Sequence, residues 1–377
     1  MTSRSRRRQL AVLSVLLSIL ATLLVMDTAL RLFPVSDGLR GAPVNEHNPV
    51  YRFAPNRTLR WSKGWDFSLA NEIRTNNYGF INDFDYDATA TSPLVAVIGD
   101  SFVEAAMVPY RQTAAGNLQA AVGAAGRVYS FGVSGAALSQ YLAYAQYARD
   151  EFHPDGMVIA VVGNDFEESL FKYRRYPGFH YFVETEDGRL ELTRVDRSIP
   201  WWKDMLMMSA LGRYLVMNLE FGNPDRLKGR IAAFFGSSPQ LVGNVAADAD
   251  PVRLSDSKKA VDVFLEMLPA EAGLDPDRIV LVVDAPRPEI YSPDRLAAVH
   301  DSYFEIMRRY LIGKASDQGY EVIDLEKKFI ADYWRRNLKF EFADDYHWNS
   351  TGHELVGAAV QQTGMFKALF GPPLGLN

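Results

Sequence analysis

The sequence of 377 residues contains no cysteine. That absence excludes a disulfide framework, a zinc–thiolate site, an iron–sulfur cluster and a cysteine nucleophile. An excess of positive charge is also missing, because 46 acidic residues outnumber 40 lysines and arginines and the formal net charge is −6. Nucleic acid is therefore not an expected partner, since binding to phosphate backbones needs clustered Lys and Arg. The length and the 48% hydrophobic content suffice for one large domain or two smaller ones.

A hydrophobic run without any charge spans residues 10–26 and follows arginines at positions 4, 6, 7 and 8. A helix of this length approaches the thickness of a bilayer core. The positive-inside rule keeps the arginines in the cytoplasm and places the rest of the chain outside. We therefore predict that 1–33 form a cytoplasmic tip and a single-pass anchor in a bacterial inner membrane, with the remainder in the periplasm. A cleaved signal peptide is the alternative, although residues 24–26 (LVM) make a poor cleavage site.

Apolar segments alternate with helical patterns from residue 93 onward. Buried strands are expected at LVAVIG, RVYSF, MVIAVVG, RIVLVVD and YEVIDL. Helices are expected at 113–123, at 138–152, at 292–319 and from Thr351, where Thr351 and Glu354 have the spacing of a capping box. Continuous apolar strands alternating with helices indicate a parallel sheet covered on both faces, which is a three-layer α/β/α sandwich.

Two further regions flank or interrupt this pattern. Residues 34–92, rich in Asn, Pro, Gly and aromatics, are expected to be an extension that packs on the main domain of 93–377. An insertion at about 171–255 contains a predicted hairpin with Asp187-Gly188 at its turn, followed by a Trp- and Met-rich segment. The aromatic side chains of the insertion either pack on the core or border the active site, with Trp201 and Trp202 as candidate substrate-binding residues.

Polar motifs follow successive predicted strands. Gly-Asp-Ser ends at Ser101, a Gly-Val-Ser-Gly stretch ends at Gly135, Asn164 follows the third strand, and His347 follows the last strand with Asp344 three residues before it. Loops at the carboxyl ends of parallel strands meet at one edge of a sheet, where function is concentrated. A serine, an imidazole and a carboxylate together can carry out nucleophilic catalysis, since the imidazole accepts the hydroxyl proton and the carboxylate orients the imidazole.

These motifs resemble those of the SGNH (GDSL) hydrolase superfamily, in a membrane-anchored bacterial form, over about 94–357 outside the insertion. The resemblance implies a flavodoxin-like five-stranded sheet, with Ser101 as the nucleophile and Asp344 and His347 completing the triad. It also implies an oxyanion hole made by the N–H groups of Ser101 and Gly135 and the side-chain amide of Asn164.

The match leaves two alternatives open and contains one departure. Gly132 is the alternative to Gly135 in register, and Asp345 is the alternative to Asp344 as the partner of His347. The glycine that the superfamily carries two residues before the Asn is replaced by Val162. His353, on the last predicted helix, is expected to be structural and not a metal ligand.

The predicted activity is that of a serine esterase or acyltransferase that needs no cofactor or metal. Its location and resemblance favour removal or transfer of O-acetyl groups on an extracytoplasmic polysaccharide, with a membrane acyltransferase as a candidate partner. A lipase or thioesterase is the alternative if the segment around Trp201 and Trp202 forms an acyl channel. A non-catalytic carbohydrate-binding protein that retains the fold is the other alternative, and the presence of Ser101, Asn164 and His347 weighs against it.

Overall fold

The computed structural model describes residues 3–200, 206–221, 240–343 and 345–371. The chain divides into two compact units. The first unit contains Met1–Leu39, Thr58–Glu72 and Ile199–Ser238. The second unit contains Arg40–Arg57, Ile73–Ser198 and Pro239–Asn377.

The strands follow one another along both units. In chain order they are β1 (Arg57–Lys63), β2 (Leu69–Thr75), β3 (Leu94–Gly99), β4 (Arg127–Gly132), β5 (Gly156–Val161), β6 (His180–Glu184), β7 (Leu190–Arg194), β8 (Leu241–Val242), β9 (Val245–Ala246), β10 (Ile279–Val283), β11 (Glu321–Asp324), β12 (Glu341–Phe342) and β13 (Asp345–Trp348).

The helices include several short ones at strand ends. In chain order they are α1 (Ser3–Leu30), α2 (Ser101–Glu104), α3 (Ala114–Val122), α4 (Leu138–Phe152), α5 (Asp165–Glu168), α6 (Ala210–Arg213), α7 (Pro251–Ala272), α8 (Pro293–Ala298), α9 (Tyr303–Asp317), α10 (Leu325–Arg336), α11 (Ser350–Gln361) and α12 (Gly364–Phe370).

A five-stranded parallel sheet in the order β11–β10–β5–β3–β4 forms the centre of the second unit. Every residue of β3, β5 and β10 is buried, which explains why these segments are apolar without alternation. Alternate residues, such as Val95 and Val97 of β3, pack with Leu118 of α3 and Val356 of α11. When the five strands of this sheet are numbered along the chain, their order is 2-1-3-4-5, which is the order of flavodoxin-like folds. The predicted fold class is therefore confirmed.

Most of the predicted elements of the second unit agree with the structure. The five predicted strands, the helix over 138–152 and the hairpin with Asp187-Gly188 at its turn are all present. The helix predicted over 292–319 is instead two helices, α8 and α9, because Ser302 has the extended backbone of an N-cap. The last large helix begins at Ser350, since Asn349 accepts a hydrogen bond from the Gly352 N–H and replaces the predicted capping box.

The first unit contains the N-terminal helix. An 18-residue window within Arg6–Leu30 reaches a mean hydropathy of 2.4, and the helix is long and apolar enough to cross a membrane. Its carboxyl-terminal part contacts α6, which belongs to the segment 206–221 of the insertion. The hairpin β6–β7 of the same insertion belongs to the second unit. The predicted domain boundaries remain predictions.

Candidate active site

Ser101, His347 and Asp345 form a hydrogen-bonded chain in the second unit. The Oγ of Ser101 lies 2.7 Å from Nε2 of His347. The other ring nitrogen, Nδ1, is hydrogen-bonded to Oδ1 of Asp345, and the same oxygen accepts the His347 backbone N–H at 2.9 Å. Because an ionised carboxylate only accepts hydrogen bonds, Nδ1 carries the proton and Nε2 is left as the acceptor for the serine hydroxyl.

Asp345 reaches the imidazole because both residues belong to β13. Side chains two residues apart in a strand point to the same side, so Asp345 and His347 face each other without a turn between them. The carboxylate of Asp345 is buried, which strengthens its hydrogen bond to the His347 ring. The sequence prediction put Asp344 first and left Asp345 open as the alternative. The structure brings Asp345 to His347, and Asp344 lies outside the described residues.

Strand β13, which carries Asp345 and His347, is fixed from two sides. The ring of Phe102 lies 4.7 Å from that of His347 and 5.2 Å, edge to face, from that of Trp348. The indole N–H of Trp348 donates to the Oδ1 of Asp284 at 2.9 Å, just beyond the end of β10. Buried Arg287 donates to the other oxygen of Asp284 at 2.7 Å, so this carboxylate is paired and positioned. The imidazole is therefore held in place by contacts with residues from other elements.

Ser101, the candidate nucleophile, is positioned by a tight turn from β3 into α2. Asp100 caps this short helix by accepting the Phe102 N–H at 2.9 Å, and Ser101 is the first helical residue. The end of β4 packs directly on the turn. A Cβ added to Gly132 would lie 2.2 Å from the Glu104 nitrogen and 2.5 Å from the Val103 carbonyl carbon. Only glycine allows this approach of two backbones.

Gly135 is the better candidate for a backbone oxyanion donor than Gly132. Gly132 ends a paired strand, whereas Gly135 lies in the following loop with φ +85°. Among the described residues no hydrogen-bond acceptor for the Gly135 N–H is seen, while the neighbouring Ser134 N–H donates to buried Glu104. Glu104 thus fixes the loop and leaves the next N–H available.

Both polar atoms of the Asn164 side-chain amide have hydrogen-bond partners. Its Nδ2 donates to Oε2 of Glu168 at 2.8 Å, and its Oδ1 accepts a hydrogen bond from Nδ2 of Asn244. Glu168 is in turn paired with Arg174, whose Nη2 would lie 2.8 Å from a Cβ added to Gly135. Asn164 and Gly135 are therefore connected through Glu168 and Arg174, at the carboxyl ends of β5 and β4 on either side of β3.

Sequence reasoning missed Asn244, Glu168 and Arg174. Glu168 stands four residues after Asn164, and that spacing brings side chains together on one helical turn. Gly243-Asn244 is a turn dipeptide between β8 and β9, where Asn244 has φ +107°. Nothing in the sequence links this turn to Asn164, because 80 residues separate them and only the fold brings them into contact.

Burial raises the pKa of two carboxyl groups close to the triad. Desolvation raises the pKa of Asp100, although the Phe102 N–H favours its charged form. Desolvation raises the pKa of Glu104 to about 7, against the hydrogen bond from Ser134. Glu104 therefore titrates near neutral pH, and its carboxyl group accepts a hydrogen bond from the loop that contains Gly135.

His353 is buried, and its contacts are those of a residue with a structural role. Its Nδ1 accepts the Ala114 N–H at 3.2 Å, and its ring lies edge to face on Trp348 at 5.5 Å. Burial lowers its pKa to about 3, which keeps the imidazole neutral. Within the described parts of the chain no group of three His, Asp or Glu is arranged to hold a metal ion.

The described part of the insertion contains the exposed rings of Tyr173 and Tyr176 but not the two candidate tryptophans. Trp201 and Trp202 lie outside the described residues. Tyr176 is exposed, and the guanidinium of Arg174 lies 4.6 Å from the centre of its ring. Because Arg174 also covers Gly135, the Tyr176 ring belongs to the surroundings of the candidate oxyanion hole. Tyr173 is exposed as well, and its hydroxyl donates to Asp256 at 2.7 Å.

Comparisons with known proteins give matches to solved structures only. No protein-family model and no curated protein matches the sequence. A lipolytic protein of the G-D-S-L family from Veillonella parvula DSM 2008 is 11% identical, with 71% of this chain and 96% of that chain covered and a TM-score of 0.39. A lipase/acylhydrolase from Enterococcus faecalis is 13% identical, with 75% and 100% covered and a TM-score of 0.36. The acetyl xylan esterase AlAXEase is 14% identical, with 71% and 97% covered and a TM-score of 0.36.

Proposed function

We propose that the chain is a serine ester hydrolase or acyltransferase of the SGNH type that works through an acyl-serine intermediate. The observation that carries the proposal is the 2.7 Å contact between Ser101 Oγ and His347 Nε2, with Asp345 on the opposite nitrogen. A serine hydroxyl becomes an effective nucleophile only when a base accepts its proton, and this geometry provides the base.

We assign a residue to each step of the proposed reaction. His347 takes the proton as Ser101 Oγ bonds to the acyl carbon, and the carbonyl oxygen becomes an oxyanion. The Gly135 N–H and the Asn164 amide are the proposed donors to this oxyanion, with the Ser101 N–H as the third. His347 then protonates the leaving alcohol oxygen as its bond to the acyl carbon breaks. Water or an acceptor hydroxyl, deprotonated by His347, attacks the acyl-serine and releases Ser101.

A fluorophosphonate probe tests the nucleophile directly, because an activated serine displaces its fluoride and forms a stable phosphonate ester. The labelled peptide identified by mass spectrometry should contain Ser101. Ser101→Ala should abolish labelling and the hydrolysis of p-nitrophenyl acetate, while Ser316→Ala, at an exposed position of α9, should leave both unchanged. Labelling that persists in Ser101→Ala would refute the assignment.

The proposed substrate class is an O-acetylated polysaccharide outside the cytoplasm. Its support is the exposed Tyr176 ring, which is joined to Gly135 through Arg174, since flat amphipathic rings bind the faces of sugars. Tyr176→Ala should raise the KM for an acetylated polysaccharide and leave that for p-nitrophenyl acetate unchanged. Trp334→Ala, which removes an exposed ring from α10, is the matched control.

Transfer and hydrolysis differ only in what attacks the acyl-serine. Incubation with p-nitrophenyl acetate and saccharide acceptors, followed by measurement of acetylated sugar and free acetate, separates the two. Acetate alone, with rates unaffected by any saccharide, leaves a hydrolase.

We further propose that α1 is a retained anchor in a bacterial inner membrane, with the second unit in the periplasm. The support is that α1 continues to Leu30 and that Asp27 is hydrogen-bonded to Ser209 at 2.8 Å, so its carboxyl-terminal part belongs to the folded first unit. Protease added to intact spheroplasts should digest the second unit and spare the arginine-rich terminus. Complete protection would place the whole chain in the cytoplasm.

A further inference from the structure

The segment 206–221 of the first unit is fastened to the end of α1 by polar contacts. Oδ1 of Asp27 accepts the Ser209 hydroxyl at 2.8 Å and the Leu211 N–H at 3.0 Å. Arg31 pairs with the other oxygen of Asp27 at 2.9 Å, and its Nη2 lies 3.4 Å from the Met208 carbonyl oxygen. An acidic residue within an apolar span needs such partners.

These contacts fix the depth of the segment relative to the span. Asp27 stands three residues before Leu30, the last residue of α1, which at a rise of 1.5 Å per residue is about 4.5 Å along the axis. Ser209 and Leu211 lie at the level of Asp27, and Met208 is their neighbour. If α1 crosses a bilayer, Met208 therefore lies at the boundary between lipid and water.

Apolar side chains of the first unit are exposed just after α1 and in the segments that contact the residues at its end. Leu32 is 87% exposed, Trp65 is 73% exposed and Met208 is 72% exposed. We refer to these three side chains, together with that of Phe33, as the apolar collar.

Two members of the collar, Phe33 and Trp65, are connected through contacts within the first unit. Phe33 stacks on Phe67 at 5.9 Å, and Phe67 lies 5.6 Å from the ring of Tyr214. The Tyr214 hydroxyl donates to the carbonyl oxygen of Trp65 at 2.8 Å. Large apolar side chains that are exposed to this degree in neighbouring segments of one unit indicate a partner.

We propose that the apolar collar lies in the outer lipid–water interface of the membrane crossed by α1. The bilayer is the occupant that fits, because Leu32 and Phe33 follow the last residue of the span within three residues and the charge of Arg31 between them is paired with Asp27. Trp, Phe and Met side chains are suited to this layer, where one side of a ring meets acyl chains and the other meets water. The proposal depends on the proposed anchoring by α1 and is independent of the catalytic assignment.

The absence of cysteine makes a direct test possible, since one introduced cysteine can be labelled without a background. The full chain is placed in lipid nanodiscs, and nitroxide labels are attached to Met208→Cys, with Leu32→Cys as a second position. Leu16→Cys, inside the span, is the lipid reference, and Val252→Cys, 64% exposed on α7, is the aqueous reference. Power saturation then compares collisions with oxygen and with a water-soluble nickel complex.

The expected result is that labels at 208 and 32 lie between the two references, with oxygen access raised and nickel access lowered relative to 252. Nickel access equal to that at 252 would overturn the proposal while leaving the anchor intact. A label at 208 shielded from both reagents would overturn it in favour of a protein partner or a second copy of the chain. A Leu16 label that is open to nickel would refute the anchoring itself, and the collar with it.

Discussion

Asn244→Asp should damage catalysis through a residue that does not contact the triad. Asn244 donates to Oδ1 of Asn164, and Glu168 accepts from Nδ2 of Asn164. A carboxylate at 244 can only accept, so it repels Oδ1. Rotating the Asn164 amide by 180° relieves that repulsion but places Oδ1 against Glu168. Neither orientation restores the native arrangement, and the proposed donor to the oxyanion is displaced.

The size of the effect follows from what the amide contributes. Loss of one oxyanion donor costs about 10²–10³-fold in kcat. Because Asn164 remains present but misaligned, we expect kcat for p-nitrophenyl acetate to fall by about 10²-fold, with KM nearly unchanged. Asn244→Gly is the matched control, since glycine adopts φ +107° without strain and removes only one hydrogen bond. Its expected cost is about 1 kcal/mol, or roughly a 5-fold fall in kcat.

A double-mutant cycle separates positioning from a general structural defect. In an Asn164→Ala background, Asn244→Asp should have no further effect on kcat, because the group that it misaligns is gone. Steady-state kinetics of the four proteins, with circular dichroism to check folding, provide the measurement. Full kcat in Asn244→Asp, or effects that simply add in the double mutant, would refute the reasoning.

Three further predictions concern the same site. Asn164→Ala should lower kcat by about 10²-fold with little change in KM, and a raised KM at constant kcat would instead indicate substrate binding. Asp345→Asn should lower kcat by on the order of 10⁴-fold, because the imidazole loses its oriented tautomer, while Asp344→Asn should be mild; the reverse order would identify Asp344 as the partner. Glu104→Gln should alter the pH dependence of stability. Because the folded protein raises the pKa of Glu104 from 4.5 to about 7, the wild type loses stability as pH rises through that window, by at most about 3 kcal/mol. Thermal unfolding at pH 5 and pH 8 should therefore show the variant gaining in Tm relative to the wild type at the higher pH, and a constant difference would contradict the cause.

The sheet could be predicted because burial on both faces leaves a clear signal. Leu94–Gly99 and Ile279–Val283 are short apolar runs bounded by turn residues, and no other element explains them. The order of the motifs along the chain then placed Ser101, Asn164 and His347 at one edge. Helix α7, which carries Pro269 in its interior, and helix α10 had no comparable pattern and were not predicted.

The finer details of the site depend on local conformation and distant contacts. Whether Asp344 or Asp345 meets His347 depends on the chain being extended over 345–348, and a spacing of residues does not reveal that conformation. The contact of Asn244 with Asn164 depends on how the β8–β9 turn packs, which has no local signature. The start of α11 at Ser350 was also misjudged, because Asn349 and Thr351 both have side chains that can cap a helix.

The close packing of Gly132 on the backbone of Val103 and Glu104 has a consequence for how this protein can evolve. Any side chain at position 132 would push on the same short helix that presents Ser101, so core and catalytic geometry cannot change independently there. Gly313, in contrast, lies within helix α9, where no atom is within 4 Å of an added Cβ, so substitutions at this position are tolerated. Related sequences should therefore keep glycine at position 132 even where the residues that determine substrate specificity have diverged. They should vary widely at position 313.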